Sequence, residues 1–61
     1  MTATDFSRFR YLIIDQHVAE RLIVKKALRA LGARMFHEAE NGQEALEEMK
    51  VLPPDVCVVA E

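Results

Sequence analysis

The sequence lacks a second cysteine, so Cys57 has no partner for an internal disulfide. Because Cys57 lies within an apolar run, we expect a reduced and buried thiol, as in a cytoplasmic protein. No glycine-rich turn follows the first apolar run, which excludes a P-loop and a dinucleotide-binding fingerprint. The two histidines and the cysteine match no compact zinc spacing.

Long hydrophobic segments and concentrated positive charge are also missing. The longest apolar runs have four or five residues, whereas a membrane-spanning helix needs roughly 20. Met1 is followed by a polar segment without the apolar core of a signal peptide, so we expect no membrane association. Residues 1–34 carry seven of the eight basic side chains. These are spread along the chain without interleaved aromatics, which favours a partner-selecting surface over a nucleic-acid interface.

Three short apolar runs, at residues 11–14, 35–39 and 56–59, each end at a polar or turn-forming position. Helical stretches fill the gaps, and this β-α-β-α-β order predicts a three-layer α/β fold with a parallel sheet. We predict strands at 9–14, 34–39 and 56–59, with helices at 18–31 and 42–50. Gly32 and Asn41 are the predicted C-cap and N-cap. Residues 1–8 are a predicted flexible lead-in to a domain at 9–61.

Right-handed crossovers give the strand order 2-1-3, with the two helices on opposite faces. The third strand is then an apolar edge, which indicates that the chain is either half of a larger domain or pairs with a copy of itself.

The first helix divides into two arcs at about 100° per residue. The arc predicted to face the sheet is apolar and contains Ala19, Ile23, Val24, Ala27, Leu28, Ala30 and Leu31. The opposite arc is basic and includes two apolar residues. It is the predicted partner-binding surface, formed by Val18, Arg21, Leu22, Lys25 and Arg29. Glu20 lies near the helix start and either reaches over the strand ends or extends into water.

Asp15 ends the predicted central strand, where parallel sheets place their chemistry. Its carboxylate is a ligand type for a hard cation such as Mg²⁺, although one carboxylate does not complete a site. Gln16 supplies only a neutral carbonyl oxygen to the same acidic pocket. The alternative interpretation is that Asp15 is a turn residue that caps the following helix.

Four segments together resemble the receiver domain of bacterial two-component response regulators, which has the CheY-like, flavodoxin-like fold. They are residues 12–15, 28–32, 38–46 and 54–59, and the resemblance extends over about 9–61. It covers only the first βαβαβ half of the five-stranded fold. The segment 39–46 is the most specific part.

The resemblance implies an acidic pair after the first strand, a phosphate-accepting aspartate after the third, and Mg²⁺ between them. Asp15 matches the first acid, Gln16 replaces the second, and Ala60 stands at the acceptor position. We therefore expect a degenerate, non-functional acceptor site without a cofactor, in which Asp15 is a weak metal ligand. The family's later threonine or serine and its lysine belong to strands after Glu61.

The leading hypothesis is a pseudo-receiver of phosphorelay signalling that is not an enzyme and is not itself phosphorylated. It would act by binding a histidine kinase, a phosphotransfer protein or another receiver. Two alternatives stay open. The chain is a fragment or acceptor-substituted variant of an ordinary phosphoaccepting regulator, or it is a self-associating half-domain with a structural role as a dimer.

Overall fold

The computed structural model describes residues 5–59, which form one three-stranded parallel sheet and two α-helices. In chain order the elements are β1 (Arg10–Ile14), α1 (Val18–Ala30), β2 (Met35–Ala39), α2 (Gly42–Val51) and β3 (Val56–Val59). The strand order is β2-β1-β3, which confirms the predicted order 2-1-3. The predicted boundaries differ from these by one residue or less.

The three strands end at the same edge of the sheet. Ile14, the last residue of β1, pairs with Ala39 of β2 on one side and with Val59 of β3 on the other. The backbone N–H of Asp15 then donates to the carbonyl oxygen of Ala39 at 3.0 Å. The chemistry of this edge therefore depends on the residues that directly follow the strands. Ala60 and Glu61 lie outside the described residues.

The two helices cover opposite faces of the sheet, because successive side chains of a strand alternate between faces. Leu12 packs with Ala45 of α2 in the main apolar cluster. Tyr11 faces the other way, and its ring centroid lies 5.9 Å from that of Phe36. The guanidinium of Arg29, on α1, lies 5.5 Å from the Phe36 ring centroid. This arrangement confirms the predicted three layers.

Local capping residues set the limits of both helices. Gly32 has φ of +104°, a left-handed conformation that suits glycine at the end of α1. The side-chain oxygen of Asn41 accepts the backbone N–H of Glu44 at 2.9 Å and caps α2. At the other end of the sheet, Asp55 accepts the Arg10 backbone N–H at 2.8 Å and so fixes the entry to β3.

The orientation of α1 corrects the sequence-based prediction. Ile23 and Leu31 were expected to face the sheet, yet they are 66 % and 58 % exposed. Arg21 was expected on the outer, partner-binding arc, yet it is only 8 % exposed. The physical reason is Glu38 on β2, whose carboxylate pairs with Arg21 and Lys25 and so draws the basic side of α1 toward the sheet.

The thiol of Cys57 is exposed, so the prediction of a buried cysteine is wrong. The sequence run around it has the composition of an interior strand, but β3 is an edge strand. Both helices pack mainly against β1 and β2, which leaves β3 thinly covered. Val56 is 38 % exposed and Val59 is 66 % exposed for the same reason.

The described part of the lead-in contains one turn of 3₁₀ helix at Phe6–Arg8, capped by Asp5. The hydroxyl of Tyr11 donates to the carbonyl oxygen of Phe6 at 3.1 Å and holds this turn against the sheet. Residues 1–4 lie outside the described part, and the flexibility of residues 1–8 stays a prediction. Within residues 5–59, neither helix has the length and apolar character needed to cross a membrane.

Candidate functional site

Asp15 lies directly after the central strand and is 2 % exposed. Its Oδ1 accepts the backbone N–H of His17 at 2.9 Å, which fixes the turn between β1 and α1. This bond agrees with the turn part of the alternative interpretation of Asp15, whereas the N-cap position of α1 is occupied by His17. The second oxygen, Oδ2, is buried and has no hydrogen-bond partner among the described residues.

Two further side chains meet the Asp15 carboxylate at the start of α1. Nδ1 of His17 lies 3.4 Å from Asp15 Oδ1 and 3.5 Å from Glu20 Oε2. Glu20 reaches toward Asp15, as one of its two predictions has it, while its side chain remains 51 % exposed to water, as the other has it. Ligand-type atoms of all three side chains lie within 4.8 Å of one another. We call Asp15, His17 and Glu20 the turn cluster.

Sequence reasoning missed the turn cluster because it grouped His17 with His37 and Cys57 rather than with its near neighbours. The signal that would have found it is the spacing Asp-x-His-x-x-Glu at residues 15–20. A turn places residues 15 and 17 together, and one helical turn places 17 and 20 on the same side.

The pKa values of the two carboxylates in the turn cluster are shifted in opposite directions. The backbone N–H of His17 is the main cause that lowers the pKa of Asp15, and a hydrogen bond with Glu20 adds to the effect. Asp15 in turn raises the pKa of Glu20, because two neighbouring carboxylates resist ionising together. Asp15 is therefore the member that stays ionised, and a proton entering the pair resides on Glu20.

Arg21 and Lys25 form an ion-pair network on the sheet side of α1. Nε of Arg21 donates to Glu38 Oε1 at 3.1 Å, and Nζ of Lys25 donates to Glu38 Oε2 at 3.1 Å. Nη1 of Arg21 also donates to the backbone carbonyl of Asp15. The hydrogen bond from Lys25 is the largest cause of the lowered pKa of Glu38. These two basic residues hold the helix to the sheet and to the site.

The members of the predicted partner-binding set differ in exposure, and only some of them lie on the outer surface of α1. Val18 and Leu22 point outward and are 66 % and 47 % exposed. Arg29 is also exposed, although its guanidinium lies over Phe36. The side chain of Gln16 is exposed beside the buried Asp15. Ala60, the predicted acceptor-equivalent position, follows Val59 outside the described residues.

The donors at this edge do not match a magnesium site. Mg²⁺ prefers octahedral coordination by oxygen atoms and water. The turn cluster instead sets an imidazole nitrogen between two carboxylates. Within residues 5–59, the donor set at this edge therefore does not fit Mg²⁺.

A parallel βαβαβ unit with strand order 2-1-3 and a carboxylate after its central strand is half of a CheY-like, flavodoxin-like fold. The chain is 38 % identical over 50 residues to the chemotaxis protein CheY of Thermotoga maritima. The match covers 82 % of this chain and 42 % of that relative, so the chain spans less than half the relative's length. No protein-family model and no solved structure matches. The similarity supports a receiver-like assignment for the matched region.

Proposed function

We propose that this chain is a receiver-like module of two-component phosphorelay signalling that acts by binding a protein and is not itself phosphorylated. The similarity to CheY and the strand order support the receiver-like part of the proposal. The observation that carries the second part is the acidic edge, where Asp15 is the one buried carboxylate within residues 5–59.

The chemistry of phosphoryl transfer explains the importance of this observation. An acceptor must present an oxygen nucleophile in line with phosphorus, and a cation must balance the developing charge. Ala60 stands at the acceptor position and carries only a methyl group. Gln16 replaces the second acid with a neutral amide. The acceptor position therefore lacks an oxygen nucleophile, and a cation would have one carboxylate fewer to bind it.

The surface that we propose for partner binding is the outer face of α1, defined by Val18, Leu22 and Ile23. These side chains are 66 %, 47 % and 66 % exposed, and Lys26 is exposed beside them. A helix with apolar side chains at this spacing suits a groove or another helix on a partner. Arg21 and Lys25 leave the predicted set because they bind Glu38. The proposed partner is a cytoplasmic histidine kinase, a phosphotransfer protein or another receiver.

The test is to mix the chain with an autophosphorylated histidine kinase and to follow both complex formation and the label. We expect binding without transfer of label to this chain. Leu22→Ser should weaken binding at least tenfold. Leu46→Ser is the matched control, because Leu46 is a leucine of comparable exposure on α2 (61 %). Label on the chain would instead support the alternative of a fragment of an ordinary phosphoaccepting regulator.

Self-association is a second candidate, favoured by the thinly covered β3 edge. An exposed apolar edge strand is a template for pairing with another chain, and Val56, Cys57 and Val59 are all exposed. Sedimentation of the chain across a range of concentrations tests this candidate. A dimer at micromolar concentration is expected if the edge pairs, whereas a monomer at every concentration would exclude it.

A further inference from the structure

We propose that Asp15, His17 and Glu20 form a binding site for a transition-metal ion of the Zn²⁺ type, with one coordination position open to water. This inference concerns the turn cluster alone and goes beyond the proposed signalling function. It does not depend on a partner or on the state of the acceptor position.

The spacing of the donor atoms matches tetrahedral coordination. With metal–ligand bonds near 2.1 Å, neighbouring ligands of a tetrahedral zinc ion lie about 3.4 Å apart. His17 Nδ1 lies 3.4 Å from Asp15 Oδ1 and 3.5 Å from Glu20 Oε2. Two edges of the tetrahedron are thus already present. The remaining pair of donors, on Asp15 and Glu20, lies within 4.8 Å, so a tetrahedral ion requires this edge to shorten.

An independent observation is the unpartnered oxygen of Asp15. Its Oδ2 has no hydrogen-bond partner among residues 5–59, and the residue is 98 % buried, so water does not reach this oxygen. Buried carboxylate oxygens usually have a hydrogen bond or a metal ligand. The same carboxylate lies beside His17, and its ligand atom is within 4.8 Å of that of Glu20, so it belongs to the cluster. A cation bound there would compensate a carboxylate that the protein leaves half satisfied.

Charge and ligand type indicate which cation suits the site. Two carboxylates and a neutral imidazole supply two negative charges, which a divalent ion balances. An imidazole nitrogen favours Zn²⁺ and related metals, whereas Mg²⁺ favours sites built from oxygen. The guanidinium of Arg21 binds the Asp15 carbonyl and Glu38 rather than the carboxylates of the cluster.

The local framework makes the site accessible and partly preformed. The side chains of His17 and Glu20 are 58 % and 51 % exposed, so an ion can enter from solvent. The turn bond from the His17 N–H to Asp15 and the Arg21 bond to the Asp15 carbonyl fix the backbone beneath them. His17 makes no side-chain cap bond to α1, so replacing its ring leaves the helix start intact.

The experiment is a titration of the full 61-residue chain with ZnCl₂ in competition with a chromophoric chelator. We expect micromolar or tighter binding of one ion, unaffected by millimolar Mg²⁺. His17→Gln and Glu20→Gln should each weaken Zn²⁺ binding at least tenfold. His37→Gln is the matched control, since among residues 5–59 His37 pairs with one carboxylate, that of Glu48 at 3.7 Å. A circular dichroism spectrum of each variant verifies that it is folded.

The exposed thiol of Cys57 is a competing zinc ligand, so Cys57→Ser is a second control and should bind Zn²⁺ as the unsubstituted chain does. NMR gives a direct readout, in which Zn²⁺ should shift the imidazole resonances of His17 and leave those of His37 in place. The proposal is overturned if His17→Gln keeps full affinity, or if Cys57→Ser or His37→Gln loses it. Equal response of His17 to Mg²⁺ and Zn²⁺ would overturn it as well. Failure of the unsubstituted chain to bind Zn²⁺ would also overturn the proposal.

Discussion

We expect Arg21→Met to lower the free energy of unfolding more than the other substitutions described below. Arg21 is 8 % exposed and uses its guanidinium twice, once to Glu38 and once to the carbonyl of Asp15. Methionine retains most of the aliphatic stem and removes both donors. The perturbation therefore isolates the hydrogen bonds from the packing of the side chain.

The magnitude follows from the surroundings of each bond. Glu38 is 37 % exposed at its side chain and keeps Lys25 as a partner, so loss of this pair costs about 1 kcal/mol. The Asp15 carbonyl bond is buried and charge-assisted, so its loss costs about 2 kcal/mol. The expected total is about 3 kcal/mol. Since roughly 0.05–0.15 kcal/mol per residue is typical of natural domains, this is a large share of the stability of so short a chain.

The assay is urea and thermal unfolding followed by far-ultraviolet circular dichroism. A loss of about 3 kcal/mol lowers the melting temperature of a domain this size by more than about 10 °C. Lys26→Met is the matched control, since Lys26 is exposed on the same helix. A free energy of unfolding for Arg21→Met within about 0.5 kcal/mol of the control would refute the reasoning.

Three further predictions concern a cap, a glycine and an ionised carboxylate. Asn41→Ala removes the cap of α2 and should cost about 1 kcal/mol in the same unfolding assay, whereas Asn41→Asp should retain the cap. Gly32→Ala should cost about 1 kcal/mol because of its φ of +104°, whereas Gly42→Ala, with open space around it, should be neutral or stabilising. The pKa of Glu38 is lowered from its ordinary value of 4.5, so the unfolded state binds more protons. The contribution of Glu38 to stability should be complete above that value and fall as the pH drops further, and Glu38→Gln should flatten this dependence.

Sequence reasoning succeeded where the determining contacts are local or follow from chain order. The apolar runs and the caps at Gly32 and Asn41 depend on neighbouring residues, and the strand order follows from crossover handedness. For the same reasons the prediction that β1 and β3 end side by side is confirmed by the pairing of Ile14 with Val59. A parallel βαβαβ pattern therefore positions the edge of the sheet without knowledge of the side-chain contacts.

The orientation of α1 was not predictable from its own periodicity. A helical wheel treats arginine as a surface residue, yet Arg21 is held inward by Glu38, which lies 17 positions later in the chain. The apolar residues Ile23 and Leu31 turn outward as a result. The prediction of a buried Cys57 was wrong for a related reason. The apolar composition of a strand indicates an interior position, but it does not show how many helices cover that strand.

The central claim is that the acidic edge of this receiver-like fold cannot hold a phosphoryl group, and intact-mass spectrometry tests it most directly. The chain is incubated with acetyl phosphate and millimolar Mg²⁺, beside a phosphoaccepting receiver as a positive control. The account predicts that the mass of this chain stays unchanged while the control gains one phosphoryl group. A gain of one acid-stable but base-labile phosphoryl group on this chain would contradict the account.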